Sequence, residues 1–372
     1  VTALPGGLPL DTLAADLARW TGDPGLAVAE VLVEPVAHTI SAPTTARLDR
    51  VAVTTTAGAT HRLVVKSLQA ARHGLPPFLP PEVVAHLDTV IPWRLEIDLL
   101  GTPLRDRVPD GLRFPDVVAV HHQDDDRATL WMADAQPTAE PWTAVDTERA
   151  AHLLGRLAAR RRHDPVPAFP GGDFLTAYVA NQVQQWAVPR ILADESWSHP
   201  LLAPHAGLRP ALTALVAELP GLVDAVRACL QLPAHGDPTP MNLLRPADAP
   251  GEFVAIDWGT STRAPVGWDV VPLVLGRAEA GLSDADEPAR LLPAALAAHR
   301  DGLAAEGVDV TASELEGAVL AAVRLRYPLT SLDPGALGEG PEAVDRAARR
   351  AAFVAAVLAL SGRRPTPRTP PG

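Results

Sequence analysis

Lysine is all but missing from this sequence. Lys and Arg together number 32 in 372 residues, and Lys66 is the single lysine. Alanine, proline and arginine are abundant instead, in keeping with a GC-rich genome where lysine codons are disfavoured. Arginine can replace lysine wherever only charge is needed. It cannot where a compact ammonium must rest on a phosphate as a point charge. Lys66 is therefore a candidate phosphate-contacting residue, set against the alternative of a chance survivor.

Other absences exclude whole classes. The one cysteine, Cys229, cannot form an internal disulfide. Its neighbours from Leu222 to Leu232 read as helix core, so it is expected to be a small buried hydrophobe, and a reducing, cytoplasmic location is expected. No apolar run reaches the roughly 18 residues of a membrane span. The N-terminus has no charged segment followed by an apolar run, so no signal peptide is expected. Net charge is −12, which argues against a nucleic-acid footprint and is compatible with a cationic substrate. There is no Gly-x4-Gly-Lys motif, which excludes a P-loop kinase, and no Gly-x-Ser-x-Gly elbow. No internal repeat is present.

The remaining pattern divides the chain. Asp11 to Trp20 reads as a short capped amphipathic helix. Ala27 to Ala37, Val51 to Thr56 and His61 to Leu68 read as strands, the last two separated by a turn at Ala57-Gly58-Ala59. Leu75 to Pro81 is a proline-rich loop, and Pro81 to Leu100 a helix broken near Pro92. Val117 to His121 and Ala128 to Met132 read as paired strands. After a linker from Ala133 to Thr138 the periodicity turns helical over Asp146 to Arg162, Phe174 to Leu192 and Leu208 to Leu232. The triple arginine at 160–162 suits a helix C-terminus. A short β-region, Asn242 to Trp258, turns at Ala249-Pro250-Gly251, and helices resume from Val270. The tail from Ser361 is rich in proline and arginine and is expected to be disordered. The plan is a sheet-rich N-lobe, a linker, and a helical C-lobe carrying a small hairpin.

The chemistry-bearing motif is His235-Gly236-Asp237-Pro238-Thr239-Pro240-Met241-Asn242-Leu243-Leu244, followed by Ile256-Asp257-Trp258-Gly259. Phosphoryl transfer needs a carboxylate at the attacking hydroxyl, oxygen ligands for Mg²⁺ and a cation on the donor phosphates. An Asp and an Asn on one loop can supply the first and part of the second. An Asp after a returning strand can complete the metal site with hard oxygen. The competing reading makes Asp237 and Asn242 ordinary turn residues.

These motifs resemble the catalytic and metal loops of the aminoglycoside phosphotransferase and choline kinase family. Gly267-Trp268-Asp269-Val270-Val271 is similar to that family's acidic segment. Arg62-Leu63-Val64-Val65-Lys66 resembles its third strand, Pro92-Trp93-Arg94-Leu95-Glu96-Ile97 its glutamate helix, and Leu130-Trp131-Met132-Ala133-Asp134-Ala135 its hinge. The resemblance spans roughly residues 28 to 276, in order.

It implies an α+β, two-lobed protein-kinase-like fold with an antiparallel β-sheet N-lobe (1–132), a hinge (133–138), a mainly helical C-lobe (139–360) and a disordered tail (361–372). It implies ATP, with GTP as the other donor, and Mg²⁺. Asp237 would accept the acceptor's proton, and Asn242 and Asp257 would hold Mg²⁺. Lys66 would contact the donor's α- and β-phosphates with Glu96 fixing its ammonium. His235 would brace the loop, Asp269 would anchor the segment after it, and the backbone of Met132, Ala133 and Asp134 would meet adenine. Glu96 as a solvated helix residue stays open as the alternative. The sequence departs from the family pattern between the first two strands, where Thr39 to Arg47 contains no glycine.

The implied partner is a small-molecule hydroxyl acceptor, with no nucleic acid and no membrane. A natural product such as an aminoglycoside or a nucleoside- or sugar-containing antibiotic leads, with resistance or self-protection as the outcome. A metabolic kinase of a sugar, choline-like or amino alcohol is the alternative, as is an inactive nucleotide-binding pseudokinase. Tyr178 to Trp197 and Leu325 to Tyr327 are the candidate acceptor segments. Trp186 and Trp197 stack on a ring there, or are helix core. His121-His122 with Asp124 to Asp126 reads as a solvated hairpin rather than a metal site, because adjacent strand residues point to opposite faces.

Overall fold

The computed structural model describes residues 3–37, 42–100, 102–166, 173–338 and 340–362. Thr39, Ile40 and Ser41 of the glycine-free segment, and the tail beyond Gly362, lie outside the described residues.

The N-terminal half begins with α1 (Leu10–Thr21), then β1 (Val28–Pro35), β2 (Thr45–Thr55) and β3 (Thr60–Gln69). Two helices follow, α2 (Pro81–Val90) and α3 (Leu95–Leu100), and then β4 (Leu112–Arg113), β5 (Val117–His122) and β6 (Arg127–Ala133). Five of these strands form one sheet in the order β1-β2-β3-β6-β5, every pair antiparallel. Alternation along β2 and β3 puts Val51, Val53, Leu63 and Val65 on one face, where they pack with Leu13 and Leu17 of α1 and with Trp131. The other face carries Leu68, Leu130 and Met132 and is covered by Ile97 of α3.

Two local expectations are corrected. No side-chain cap starts α1; Pro9 leads into it, and Gly22 closes it in the left-handed region. β2 begins at Thr45 rather than Val51, because pairing with β3 continues through Arg47–Ser67 to Thr45–Leu68, so the strand takes in Thr45 to Arg47 from the glycine-free segment. The expected break near Pro92 is present, and it divides the 81–100 segment into two helices.

The C-terminal half comprises α4 (Ala144–Arg160), α5 (Phe174–Tyr178), a π-helical stretch (Val179–Ala187), α6 (Val188–Leu192), α7 (Asp194–Ser198) and α8 (Arg209–Ala228). β7 (Gln231–Ala234), β8 (Leu243–Leu244), β9 (Phe253–Ala255) and β10 (Thr262–Pro265) then precede α9 (Val270–Glu279), α10 (Glu287–Ala305), α11 (Ala312–Arg326), α12 (Pro334–Leu337) and α13 (Pro341–Ser361). Thr143 and Asp146 make a reciprocal capping box at the start of α4. α4 packs closely on α10, where Gly155 and Gly302 each face backbone of the other helix. Beyond its end, Arg156 and Arg160 both reach Glu306, at 2.7 and 2.9 Å. Arg161 is 2% exposed, with its guanidinium over the Trp258 ring.

Two further expectations shift here. The helix through Leu208 stops at Ala228, because Gln231 to Ala234 pair with β10 instead. Cys229 is therefore a half-buried cap residue against the core, its thiol donating to Ala225 O. Ser361 belongs to α13 rather than to a tail.

The segment joining the halves is tied to both. Asp134 N–H donates to Arg62 O at 2.9 Å, on the sheet side. On the other side Thr138 N–H donates to Arg245 O at 2.8 Å and Ala247 N–H to Gln136 O at 3.2 Å, with Pro137 bridged to Pro246. Gln136 between them has φ 44°. His86 of α2 meets Asn181 of the π-helical stretch at 3.1 Å, a second link between the halves. Among the described residues, no helix is long and apolar enough to cross a membrane.

Candidate active site

Lys66 sits in β3 with its side chain on the α3 face. Its ammonium donates to Glu96 Oε2 at 2.8 Å and to Asp257 Oδ1 at 2.6 Å. Lys66 and Glu96 are 8% and 3% exposed, which settles Glu96 as a buried partner rather than a solvated helix residue. Burial alone would lower the ammonium's pKa. The charges of Glu96 and Asp257, with hydrogen bonds to both, outweigh it and hold Lys66 protonated above its ordinary value.

The other oxygen of Glu96 accepts from Trp258 N–H at 3.3 Å, so α3 is tied to the residue after Asp257. Asp257 adopts φ 62°, ψ 61°, a left-handed conformation uncommon outside glycine. That turn leaves its side chain half exposed, and Trp258 is packed beside Phe114 and His235 with ring centroids 5.0 and 4.3 Å away.

The loop from His235 to Asn242 is held from beneath. Asp269 accepts from His235 N–H and Gly236 N–H, each at 2.9 Å. The ring of His235 contacts Ile256 O at 3.0 Å, joining this loop to the one carrying Asp257. Gly236 has φ +97°, and a Cβ there would lie 2.1 Å from Thr260 O. Burial pushes Asp269 up to about 6, against its two backbone donors, and pushes His235 down to about 4. His235 is fully buried, its ring linking the two loops.

Asn242 Nδ2 donates to Asp237 O at 2.8 Å and lies 3.3 Å from Asp237 Oδ2. Asn242 O accepts from Ile256 N–H at 2.9 Å, which sets the two loops side by side. Asp237 is half-buried; burial raises its carboxyl, with the Arg326 guanidinium opposing. Arg326 Nη2 donates to Asp237 Oδ1 at 2.5 Å. Arg326 lies in the candidate acceptor segment Leu325 to Tyr327, where the sequence assigns the arginine itself no role. Its only signal there was a basic residue at the last position of a helix.

The donor set suits a hard divalent cation in part. Asn242 and Asp257 offer two oxygen ligands, and magnesium characteristically takes one or two carboxylates with waters and substrate phosphates. Among the described residues no group of three His, Cys, Asp or Glu is placed to hold a metal. His121 instead bonds Asp16 at 2.6 Å. Met132, Ala133 and Asp134 lie at the end of β6. The N–H groups of Ala133 and Asp134 are bonded to Asp116 O and Arg62 O, at 2.8 and 2.9 Å. A cavity of about 510 Å³ beside this segment is lined by Arg105, Asp110, Arg113, Asp116, Gln136 and Glu252, and includes neither Lys66 nor Asp237. Of the candidate acceptor aromatics, Trp197 is 7% exposed with its indole N–H on Ile191 O, a core residue.

No protein-family model matches the chain. No curated protein matches it either. Solved structures do. The crystal structure of an aminoglycoside phosphotransferase from Alicyclobacillus acidocaldarius aligns with TM-score 0.53 at 16% identity, over 90% of this chain and 93% of that one. A structure of amicoumacin kinase gives 0.48 at 12% identity, over 94% and 96%. The choline kinase of Cryptosporidium parvum gives 0.47 at 13%, over 93% and 94%. The chain therefore has the two-lobed, protein-kinase-like fold of the aminoglycoside phosphotransferase structure, an antiparallel sheet lobe joined to a mainly helical one.

Proposed function

We propose that this protein is a small-molecule kinase that moves the γ-phosphoryl group of ATP, or of GTP, to a hydroxyl of a natural product such as an antibiotic. The observation that carries the reading is the convergence on one cleft of the sole lysine, its buried glutamate partner and Asp257, beside a loop presenting Asp237 and Asn242.

Each group then has a task. Lys66 rests on the donor phosphates, released in part from Asp257 and kept in line by Glu96. Asn242 and Asp257 would hold Mg²⁺, which would supply neutralisation of charge on those phosphates. Asp237 orients the acceptor hydroxyl and takes its proton as the new P–O bond forms and the bond to the leaving nucleoside diphosphate breaks. The buried Asp269 and His235 hold the loop so that Asp237 needs little reorganisation. The amides of Ala133 and Asp134 are bonded within the fold, so purine recognition at Met132 to Asp134 falls to backbone groups other than these two. Phosphorylation would add about −1.5 to −2 charges to the acceptor, enough to spoil its fit to a target and give resistance or self-protection.

The test is a coupled nucleotide-consumption screen with Mg²⁺ against antibiotics and small alcohols, with Asp237→Ala as control. Consumption with one acceptor that vanishes in the variant supports the kinase and names the acceptor class. Nucleotide binding with no turnover on any acceptor, nor on water, would favour a pseudokinase.

A further inference from the structure

Arg326 closes α11 and reaches the loop that carries Asp237. Its guanidinium forks across two acceptors. Nη2 donates to Asp237 Oδ1 at 2.5 Å, and Nη1 to Gly236 O at 2.8 Å. The side chain is 14% exposed. It lies over the rings of Trp268 and Tyr327, 5.6 and 5.5 Å from their centroids. Its own carbonyl accepts from the hydroxyls of Tyr178 and Thr330, at 2.7 and 2.8 Å. Both ends of the residue are thus fixed, and the two oxygens of Asp237 are made different. Oδ1 is taken by the arginine. Among the described residues, Oδ2 has only the 3.3 Å approach of Asn242 Nδ2.

We infer that Arg326 is a positioning residue for Asp237, clamping Oδ1 and the loop carbonyl together so that Oδ2 is the oxygen that receives the acceptor's proton. The inference rests on the kinase reading. It adds a specific geometric demand, a planar fork with two parallel donors, which a lysine's point charge does not meet. The charged and titratable groups around the pair are Asp257, Glu279, Tyr178 and Tyr327, none of which can replace a two-pronged donor. Misplacing a reacting group by about 1 Å can cost about 10²-fold in rate, which sets the scale of the effect.

The experiment uses the full chain, Mg–ATP as donor and water as acceptor, so that no acceptor need be known. Arg326→Ala is expected to lower kcat about 10²-fold with KM for Mg–ATP unchanged. Millimolar guanidinium chloride is expected to restore part of the rate, and equal methylammonium chloride is not. Arg326→Lys is expected to stay impaired. Full turnover in Arg326→Ala, or full rescue by Arg326→Lys, overturns the inference. So does a loss that guanidinium leaves untouched in a folded variant, which marks a structural role. Should Arg326→Ala fail to fold, Arg326→Gln carries the same measurements. Should the wild type hydrolyse no nucleotide, that result bears on the choice of acceptor and not on Arg326, and the crystal structure of the variant still decides. An Asp237 carboxylate swung from its present rotamer supports positioning, and an unmoved one overturns it.

Discussion

Lys66 Nζ and Asp257 Oδ1 lie 2.6 Å apart although 191 positions separate them in the chain. The contact draws β3 of the sheet onto the loop after β9, and Glu96 completes it from α3. Two consequences separate charge from shape. Lys66→Arg keeps the charge but not the compact ammonium, so kcat/KM for nucleotide should fall; wild-type kinetics would remove the significance of the sole lysine. Lys66→Met strands the buried Glu96 carboxylate, and should cost about 3–5 kcal/mol in denaturant unfolding.

Asp237→Ala should keep the fold and nucleotide binding while lowering kcat by about 10²–10⁴, as for loss of a general base. Circular dichroism and nucleotide titration check the first part and a coupled assay the second. Undiminished turnover would move the proton acceptor elsewhere.

Asp269 and His235 should oppose one another in acid. Between Asp269's ordinary 3.8 and its folded value of about 6, the native state holds a proton the unfolded chain has released. Asp269 therefore makes stability fall as pH rises through that window. His235 and His299, lowered by burial from 6.5 to about 4, do the reverse, because there the unfolded chain holds protons the native state lacks. Each group inside its window contributes a slope of about 1.4 kcal/mol per pH unit. Asp269→Asn should steepen the rise in stability from pH 4 to 6, and His235→Gln should flatten it. Urea unfolding across that range reads both slopes, and identical slopes in all three proteins would refute buried ionisation.

Gly236→Ala should damage both stability and turnover. The positive φ alone costs about 1–3 kcal/mol, and the new methyl would meet Thr260 O. A fully active, fully stable variant would mean that this loop has slack.

Much of the site could be read in the chain because its residues sit in short local motifs. Asp237 and Asn242 share one loop, and Asp257 lies at the end of the strand that returns from it. Lys66 stood out by codon economy, and Glu96 by its place in a helix after it. What stayed hidden depends on contacts made at long range. Arg326 is 89 positions from Asp237 and looks like any arginine that ends a helix. Gln231 to Ala234 resemble the helix before them until β10 is present as a partner. Arg161 reads as one of three dipole-complementing arginines, yet its burial beside Trp258 is decided by the loops beneath it.

The segment between the lobes also has a mechanical consequence. Its first peptide units are bonded to the sheet through Asp134, and its last to the turn at Arg245 to Ala247 through Gln136 and Thr138. Free rotation is thus confined to the bonds around Ala135 and Gln136. Any opening of the cleft becomes a rotation about one short axle, resisted by the His86–Asn181 contact at 3.1 Å. The same rotation must part Lys66 from Asp257, whose 2.6 Å contact spans the two halves.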